Sequence, residues 1–239
     1  MNLFRKSNVL TAKTSTFGLL ERFPVMEAKH CIPNWYKEMR SYYEVSPCPI
    51  KTIANLHGTA KNCYGIKSLI NAGFIVQAWS DMSFLIQPNG DLLAKTAGED
   101  KHFFEIHSSN DAPNFLKNKI TVKLRCPWNL FGNKTRYIYT PAAYHSRLSQ
   151  NIFMPSGVLE FEKQHAAHIF LCIDVRDHEY EIIIKAGEPL MHLIPLTDKK
   201  IILENKYEST FKESPDGNFY FCNSYNRARS HERKFKKTF

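Results

Sequence analysis

Two histidines and two glutamates gather in one short segment, where they could bind a metal ion. His165 and His168 are three residues apart, and Glu160 and Glu162 come just before them. Two imidazoles at positions i and i+3 can bind one metal ion when the segment is a helix. The apolar residues 169–171 predict a strand instead, in which positions i and i+3 point to opposite faces. We therefore expect no metal and no cofactor here.

Three further histidines, His102, His107 and His145, could converge across two sheets. Oxygenases built on double-stranded β-helices hold iron with two histidines and one carboxylate. The His-x-Asp or His-x-His pair that such sites use does not occur in this chain. We interpret these histidines as solvated or singly hydrogen-bonded residues.

Trp79 and Asp81 stand one residue apart in a predicted strand, so they share a face. One interpretation is a ligand pocket with an aromatic platform and a carboxylate. The other is structural, because a buried indole N–H usually needs an acceptor. The sequence favours the structural interpretation and leaves the pocket as an alternative.

The end of the chain is its most basic part. The last thirteen residues hold six cations against Glu232 alone, which is more than half of the net charge of +9. These cations are Arg227, Arg229, Arg233, Lys234, Lys236 and Lys237. A basic patch with interleaved aromatics can bind nucleic acid, since cations neutralise phosphates and rings stack on bases. An acidic partner protein is the other interpretation of this tail.

The elements that must position these residues are mainly strands. Residues 168–175, 180–185 and 190–196 are rich in β-branched and aromatic side chains and are separated by turn signals. Three such runs in under forty residues predict an antiparallel sandwich or jelly roll. Gly73 is expected to end a short helix that precedes another strand.

The expected fold class is mainly β (α+β): a β-sandwich or jelly-roll-like domain with short helices near its N-terminus and a basic C-terminal helix. We expect residues 1–50 to form an arm and a short helix, in which Trp35 and Tyr36 pack on the body. Residues 51–210 are expected to form the sandwich core, and residues 211–239 the basic helix or tail.

Six cysteines with irregular spacing and no C-x-x-C pair indicate reduced thiols. No apolar run is long enough to span a membrane, and the first residues lack the apolar core of a secretory signal. These features predict a soluble protein, in the host cytoplasm or in a virion if its origin is a phage.

Several short motifs resemble a protein family encoded by tailed phages of marine and other aquatic bacteria, and related bacterial proteins. They are Ala-x-x-x-x-Pro-x-Trp at residues 28–35, a Gly-to-Asp element at 73–81, Pro127-Trp128, a Thr-Pro corner at 140–141, and Ile-x-x-Gly-x-Pro-x-x-x-Leu-Ile-Pro at 184–195. The resemblance covers roughly residues 24–196. It implies a phage origin and supplies no catalytic residue.

A second resemblance is local, to the β-core of trimeric dUTPases and dCTP deaminases. Gly157-Val158-Leu159-Glu160 and the later Ile-x-x-Gly-Glu hairpin at 184–193 match the order and spacing of that core. The resemblance implies that Glu160 would be the catalytic carboxylate, which activates water with Mg²⁺ held by the triphosphate.

Three functions follow as hypotheses. The first is a non-enzymatic phage protein, a structural or accessory factor that contacts a phage or host protein and could form a homo-oligomer. The second is a dUTPase-like nucleotide pyrophosphatase that uses Glu160. The third is a nucleic-acid-binding module that uses the tail. We favour the first, because the sequence carries no decisive catalytic motif.

Overall fold

The computed structural model describes residues 8–44, 56–96, 104–107, 116, 119–132, 135–146, 152–162 and 165–209. The predicted basic helix at 211–239, with its six cations, lies outside these residues.

The described part of the chain is built mainly from strands. They are β1 (Asn8–Thr14), β2 (Met26–Glu27), β3 (Tyr42–Glu44), β4 (Leu56–Gly58), β5 (Phe74–Gln77), β6 (Met82–Ile86), β7 (Leu92–Thr96), β8 (Phe104–His107), β9 (Lys119–Leu124), β10 (Asn129–Gly132), β11 (Arg136–Pro141), β12 (Ile152–Phe153), β13 (Gly157–Glu160), β14 (Ile169–Asp174), β15 (Tyr180–Ile184), β16 (Pro189–Pro195) and β17 (Ile201–Tyr207). The helices are short: α1 (Leu19–Arg22), α2 (Asn34–Glu38) and α3 (Tyr64–Asn71), with 3₁₀ turns at Ala28–His30 and Ala60–Asn62. No helix of the described residues has the length and apolar character that a membrane span requires.

The strands form several sheets, in the orders β13-β11-β16-β5-β2, β12-β14-β9-β8, β15-β6-β7, β10-β1-β17 and β3-β4. Among the described strands the pairs are antiparallel, apart from β1 with β17, which is parallel. The fold class is therefore mainly β, an antiparallel sandwich with short helices, as the sequence predicted.

The three strands predicted between residues 168 and 196 are confirmed, but they do not pair with one another. β14 lies between β9 and β12, β15 pairs with β6, and β16 lies between β5 and β11. Each strand finds its partner far away in sequence.

β15 and β16 form one half of a long bent pair whose other half is β5 and β6. The ladder continues through the bend, where Ala78 N–H donates to Glu188 O at 2.8 Å and Gly187 N–H donates to Ala78 O at 2.7 Å. Gly187 has a φ of +83°, a conformation that glycine adopts without a Cβ penalty. Both strands thus turn the same corner together.

The N-terminal segment does more than form an arm. β1 lies between β10 and β17, and its Leu10 and Ala12 are fully buried. The prediction of an arm missed this strand because its alternation of small and polar residues, Asn-Val-Leu-Thr-Ala-Lys-Thr, is a weak signal.

One core joins the sheets. Side chains alternate between buried and partly exposed along β6 and β9, as a sheet packed on one face requires. The largest fully buried side chains include Trp128, Tyr137 and Phe161. The indole N–H of Trp128 donates to Phe23 O at 3.2 Å, so its burial leaves no unpaired donor.

The five-stranded sheet is covered on its second face by the short helices. Ala28, Ile75 and Ala142 form a small cluster of buried residues there, with Cys31 packed against it. The 3₁₀ turn joins the sheet through Ala28 N–H, which donates to Gly73 O at 2.9 Å. Gly73 ends α3 with a φ of +70°, as predicted.

Candidate functional site

Five exposed aromatic side chains lie on α2, on β3, at the start of α3 and on the turn at 142–146. We call Trp35, Tyr42, Tyr43, Tyr64 and Tyr144 the aromatic surface. Tyr64 is 83% exposed and Trp35 40%. Rings of this size are the residues that most often carry binding energy at protein interfaces.

Trp35 is held rigidly within this surface. Its indole N–H donates to Tyr144 O at 2.9 Å, and its ring lies 6.4 Å from the Tyr144 ring. Tyr36, which is buried, meets the Trp35 ring edge-on at 5.5 Å and donates its hydroxyl to Lys61 O at 3.2 Å. The expectation that Trp35 and Tyr36 pack on the body is thus confirmed for Tyr36, whereas Trp35 stays partly exposed.

Polar contacts tie the remaining parts of the surface together. Lys61 Nζ donates to the carbonyls of Lys37 and Met39, both at 2.9 Å. The Asn62 amide donates to Ser41 O at 2.6 Å, and the neighbouring strands β3 and β4 pair at Tyr42 and Gly58. These contacts fix the segment that carries Tyr42 and Tyr43 beside the start of α3.

The surroundings of the aromatic surface are basic. Residues 27–43 and 58–71 contain five lysines and arginines against two glutamates, a net charge of +3. Lys37, Arg40 and Lys67 are exposed. Such a field attracts anionic partners and speeds their encounter.

A buried histidine, His192, and a partly buried one, His145, lie next to each other beside the turn that carries Tyr144. His192 on β16 is 2% exposed, and its Nε2 lies 2.5 Å from Ala72 O. His145 Nε2 lies 3.3 Å from Ile70 O, and the two imidazole rings are 5.3 Å apart. Since a carbonyl oxygen only accepts, each Nε2 carries the proton. Both histidines therefore cap carbonyls at the C-terminal end of α3.

Burial keeps both rings neutral. It lowers the pKa of His145 to about 4, with a further contribution from His192, and the bond to Ile70 O opposes the shift. Burial also lowers the pKa of His192, against the bond to Ala72 O. The carbonyl acceptors and the negative end of the helix dipole favour the protonated ring and raise the pKa, but desolvation lowers it by more. His192 was not among the functional residues predicted from the sequence. A lone polar residue within the apolar run of β16 was the available signal.

The two histidines of the sequence-predicted metal segment are not arranged as a metal site. His165 Nδ1 lies 3.2 Å from Leu130 O, and its ring stacks on Phe131 at 4.0 Å. Burial lowers the pKa of His168 to about 4, and the charges of Lys123 and Arg125 add to the shift. Those two cations would also repel a metal ion. Within the described residues no group of three or more His, Cys, Asp or Glu could hold a metal.

Trp79 and Asp81 lie at the bend of the long strand pair and not within a strand. Trp79 is 8% exposed. The Asp81 carboxylate accepts a hydrogen bond from Ala186 N–H at 2.8 Å and one from Lys185 Nζ at 3.4 Å. The Ala186 bond, with help from Lys185, lowers the pKa of Asp81. Asp81 therefore braces the corner.

Glu160 lies at the end of the edge strand β13, opposite Arg136 of β11. The next residue, Phe161, is fully buried and its ring lies 5.1 Å from that of Tyr137. The chain directly after Glu160 therefore packs into the core.

The remaining candidates are dispersed. His107 lies beside Glu105 at 3.8 Å and contacts the Phe170 ring on the four-stranded sheet, whereas His145 lies in the turn after β11. His102 and the six tail cations, Arg227 to Lys237, lie outside the described residues. Burial raises the pKa of Cys31 and Cys172, and that of Cys126 to about 12, so these thiols lack the character of nucleophiles.

An open depression of about 480 Å³ lies between the ends of β1 and β17. Its polar groups are already engaged: Lys13 pairs with Glu208 at 2.9 Å, and the Asn205 amide bonds to both the N–H and the carbonyl of Val25. It is a shallow surface feature.

No protein-family model matches this chain, and no curated protein is significantly similar to it.

Proposed function

We propose that this protein is a non-enzymatic bacteriophage factor that binds a partner protein through the aromatic surface. The observation that carries the proposal is an exposed tryptophan, held in place by Tyr144 and Tyr36, among further exposed tyrosines in a basic surrounding. The phage origin rests on the motif resemblance between residues 24 and 196. It would place the protein in the host cytoplasm or in the virion.

The construction of the surface favours a protein partner over a nucleic acid. Trp35 is fixed by its bond to Tyr144 O and by the ring of Tyr36, so one edge and part of its ring are already used. Base stacking needs an open ring face. Rigid, half-buried aromatic anchors instead resemble the centre of a protein interface, where little side-chain entropy is lost on binding.

The charge of the surface indicates the chemistry of the partner. With a net charge of +3 around the rings, the best match is a protein segment that carries carboxylates next to apolar side chains. The apolar groups would pack on Trp35 and Tyr144, and the carboxylates would meet Lys37 and Arg40. The partner would be a phage or host protein, and the basic tail would supply a second contact.

Trp35 provides its own reporter for this proposal. Titration of the full chain with poly-L-glutamate is expected to change the emission of Trp35, isolated by subtracting the spectra of a Trp35→Phe variant. Trp79 and Trp128 are buried and should contribute little to the change. The change should weaken as salt is added, because screening reduces the attraction.

Charge reversal supplies the matched control. Lys37→Glu is expected to weaken binding by about tenfold, whereas Lys95→Glu, on the distant edge strand β7, should leave it unchanged. An equal loss in both variants, or no response of Trp35, would contradict the proposal. A response to oligo-dT with none to poly-L-glutamate would replace it by nucleic-acid binding.

The nucleotide hypothesis has a separate test. We expect no release of pyrophosphate above background when the protein is incubated with Mg²⁺ and a panel of nucleoside triphosphates. The reason is that Phe161, directly after Glu160, is buried in the core. Release that disappears in a Glu160→Gln variant would instead support the dUTPase-like activity.

A further inference from the structure

We propose that His145 and His192 form a pH-sensitive clasp that holds the aromatic surface together, and that protonation of His145 separates Tyr144 from Trp35. This inference rests on the proposed function, since it adds regulation to the same surface. It concerns a side-chain pair that the proposed binding does not itself use.

The pair cannot accept a proton without rearrangement. His145 Nδ1, the atom that would be protonated, is buried and has no hydrogen-bond partner among the described residues. A new N–H there would be left without an acceptor in a buried place, which is costly. The second ring, 5.3 Å away, would oppose a charge on the first.

The clasp is connected to the surface by one residue. Tyr144 directly precedes His145. Its carbonyl accepts a hydrogen bond from the Trp35 indole N–H at 2.9 Å, and the rings of Tyr144 and Trp35 are 6.4 Å apart. The turn that carries both residues begins at Ala142, whose carbonyl accepts from His145 N–H at 2.8 Å. Movement of His145 away from α3 must therefore move Tyr144.

The other end of the turn is anchored independently. Ser146 Oγ donates to Glu188 at 2.6 Å, at the corner of the long strand pair. Release of His145 would thus open the turn at its middle while its end stays attached. A local opening of this kind requires no unfolding of the sheet.

Other ionisable groups lie on the elements around the pair. Burial raises the pKa of Tyr139 on β11 and of Cys31 after the 3₁₀ turn, so both ionise at higher pH, and Lys67 lies on α3. Tyr36 donates its phenol hydroxyl to Lys61 O. The nearby carboxylate is Glu188, which Ser146 engages. His30 is exposed on the 3₁₀ turn and not part of the pair.

The test uses the free full-length protein, so its outcome does not depend on whether poly-L-glutamate binds. The Trp35 emission, again isolated with Trp35→Phe, is followed from pH 8 to pH 3.5 together with far-ultraviolet circular dichroism. We expect the emission to change as the pH falls toward 4, where His145 takes up its proton, while the circular dichroism stays native. The change should vanish in His145→Gln, which keeps a donor for Ile70 O, and persist in the control His168→Gln.

A direct measurement protects the test against a variant that fails to fold. In the wild-type protein, the pKa of His145 measured from its imidazole NMR signals should lie at least one unit below the usual value of about 6.5. An ordinary or raised pKa of His145 would overturn the clasp. The clasp would also be overturned if the wild-type emission did not change with pH, or if the change persisted in His145→Gln.

Discussion

Replacing Gly73 by alanine should lower the free energy of unfolding by about 4 kcal/mol, the sum of a left-handed backbone strain and a steric clash. Gly73 has a φ of +70°, and a Cβ built on it would lie 2.0 Å from Leu193 O and 3.0 Å from Pro195 Cδ. The atom that blocks it is backbone of β16, so no side-chain rotation can relieve the contact. Urea unfolding followed by circular dichroism measures the loss.

Gly65 is the matched control for this substitution. It lies within α3, eight residues before Gly73, and a Cβ there would meet no atom within 4 Å. Gly65→Ala should therefore stabilise the protein slightly, by about 0.5 kcal/mol, because alanine is the better helix former. A loss below about 1 kcal/mol in Gly73→Ala, on the same scale, would mean that α3 and β16 do not approach as closely as described.

The second large effect is loss of stability in mild acid. The pKa of His145 and that of His168 are both lowered to about 4, mainly by burial. An unfolded chain binds protons at these histidines below pH 6.5, whereas the folded chain does not until about pH 4. The stability they provide is therefore complete above pH 6.5 and is lost as the pH falls toward 4.

Between pH 7 and pH 5, His145 and His168 together should lower the free energy of unfolding by about 2 kcal/mol. This figure allows for the part of each ring that water still screens. Burial of His192 acts in the same direction. The lowered pKa values of Asp81 and Asp177 act only below their usual range near 3.8, so they do not contribute in this window. Urea midpoints at the two pH values give the slope.

A His145→Gln/His168→Gln double variant is the control for the acid effect, and most of the slope should disappear in it. Stability that stays constant or rises from pH 7 to pH 5 in the wild type would contradict the description of these two side chains as partly buried and neutral.

Local chemistry predicted much of this fold. The runs of β-branched residues in β14, β15 and β16 predict these strands. Gly73 ends α3 at a position that requires a left-handed conformation. The partners of the strands could not be predicted in this way. β15 pairs with β6 about a hundred residues away, and a run of alternating residues does not specify which distant strand it meets.

The site was harder to predict for the same reason. His145 and His192 are 47 residues apart, and only the approach of β16 and the 142–146 turn to α3 brings their rings together. Trp35 and Tyr144 are farther apart still, at 109 residues. Candidates chosen by short spacing, such as His165 with His168, face different neighbours: His165 contacts Leu130 and Phe131, whereas His168 lies near Lys123 and Arg125.

The most direct test of the aromatic surface is site-specific photo-crosslinking in the cells that produce the protein. A benzophenone amino acid replaces Tyr64, which is 83% exposed, and in a parallel variant Phe17, which is 91% exposed and lies outside the aromatic surface. The account predicts a covalent adduct from position 64 to a protein segment rich in carboxylates, lost in Lys37→Glu and absent from position 17. Equal adducts from both positions, or an adduct to nucleic acid at position 64, would contradict it.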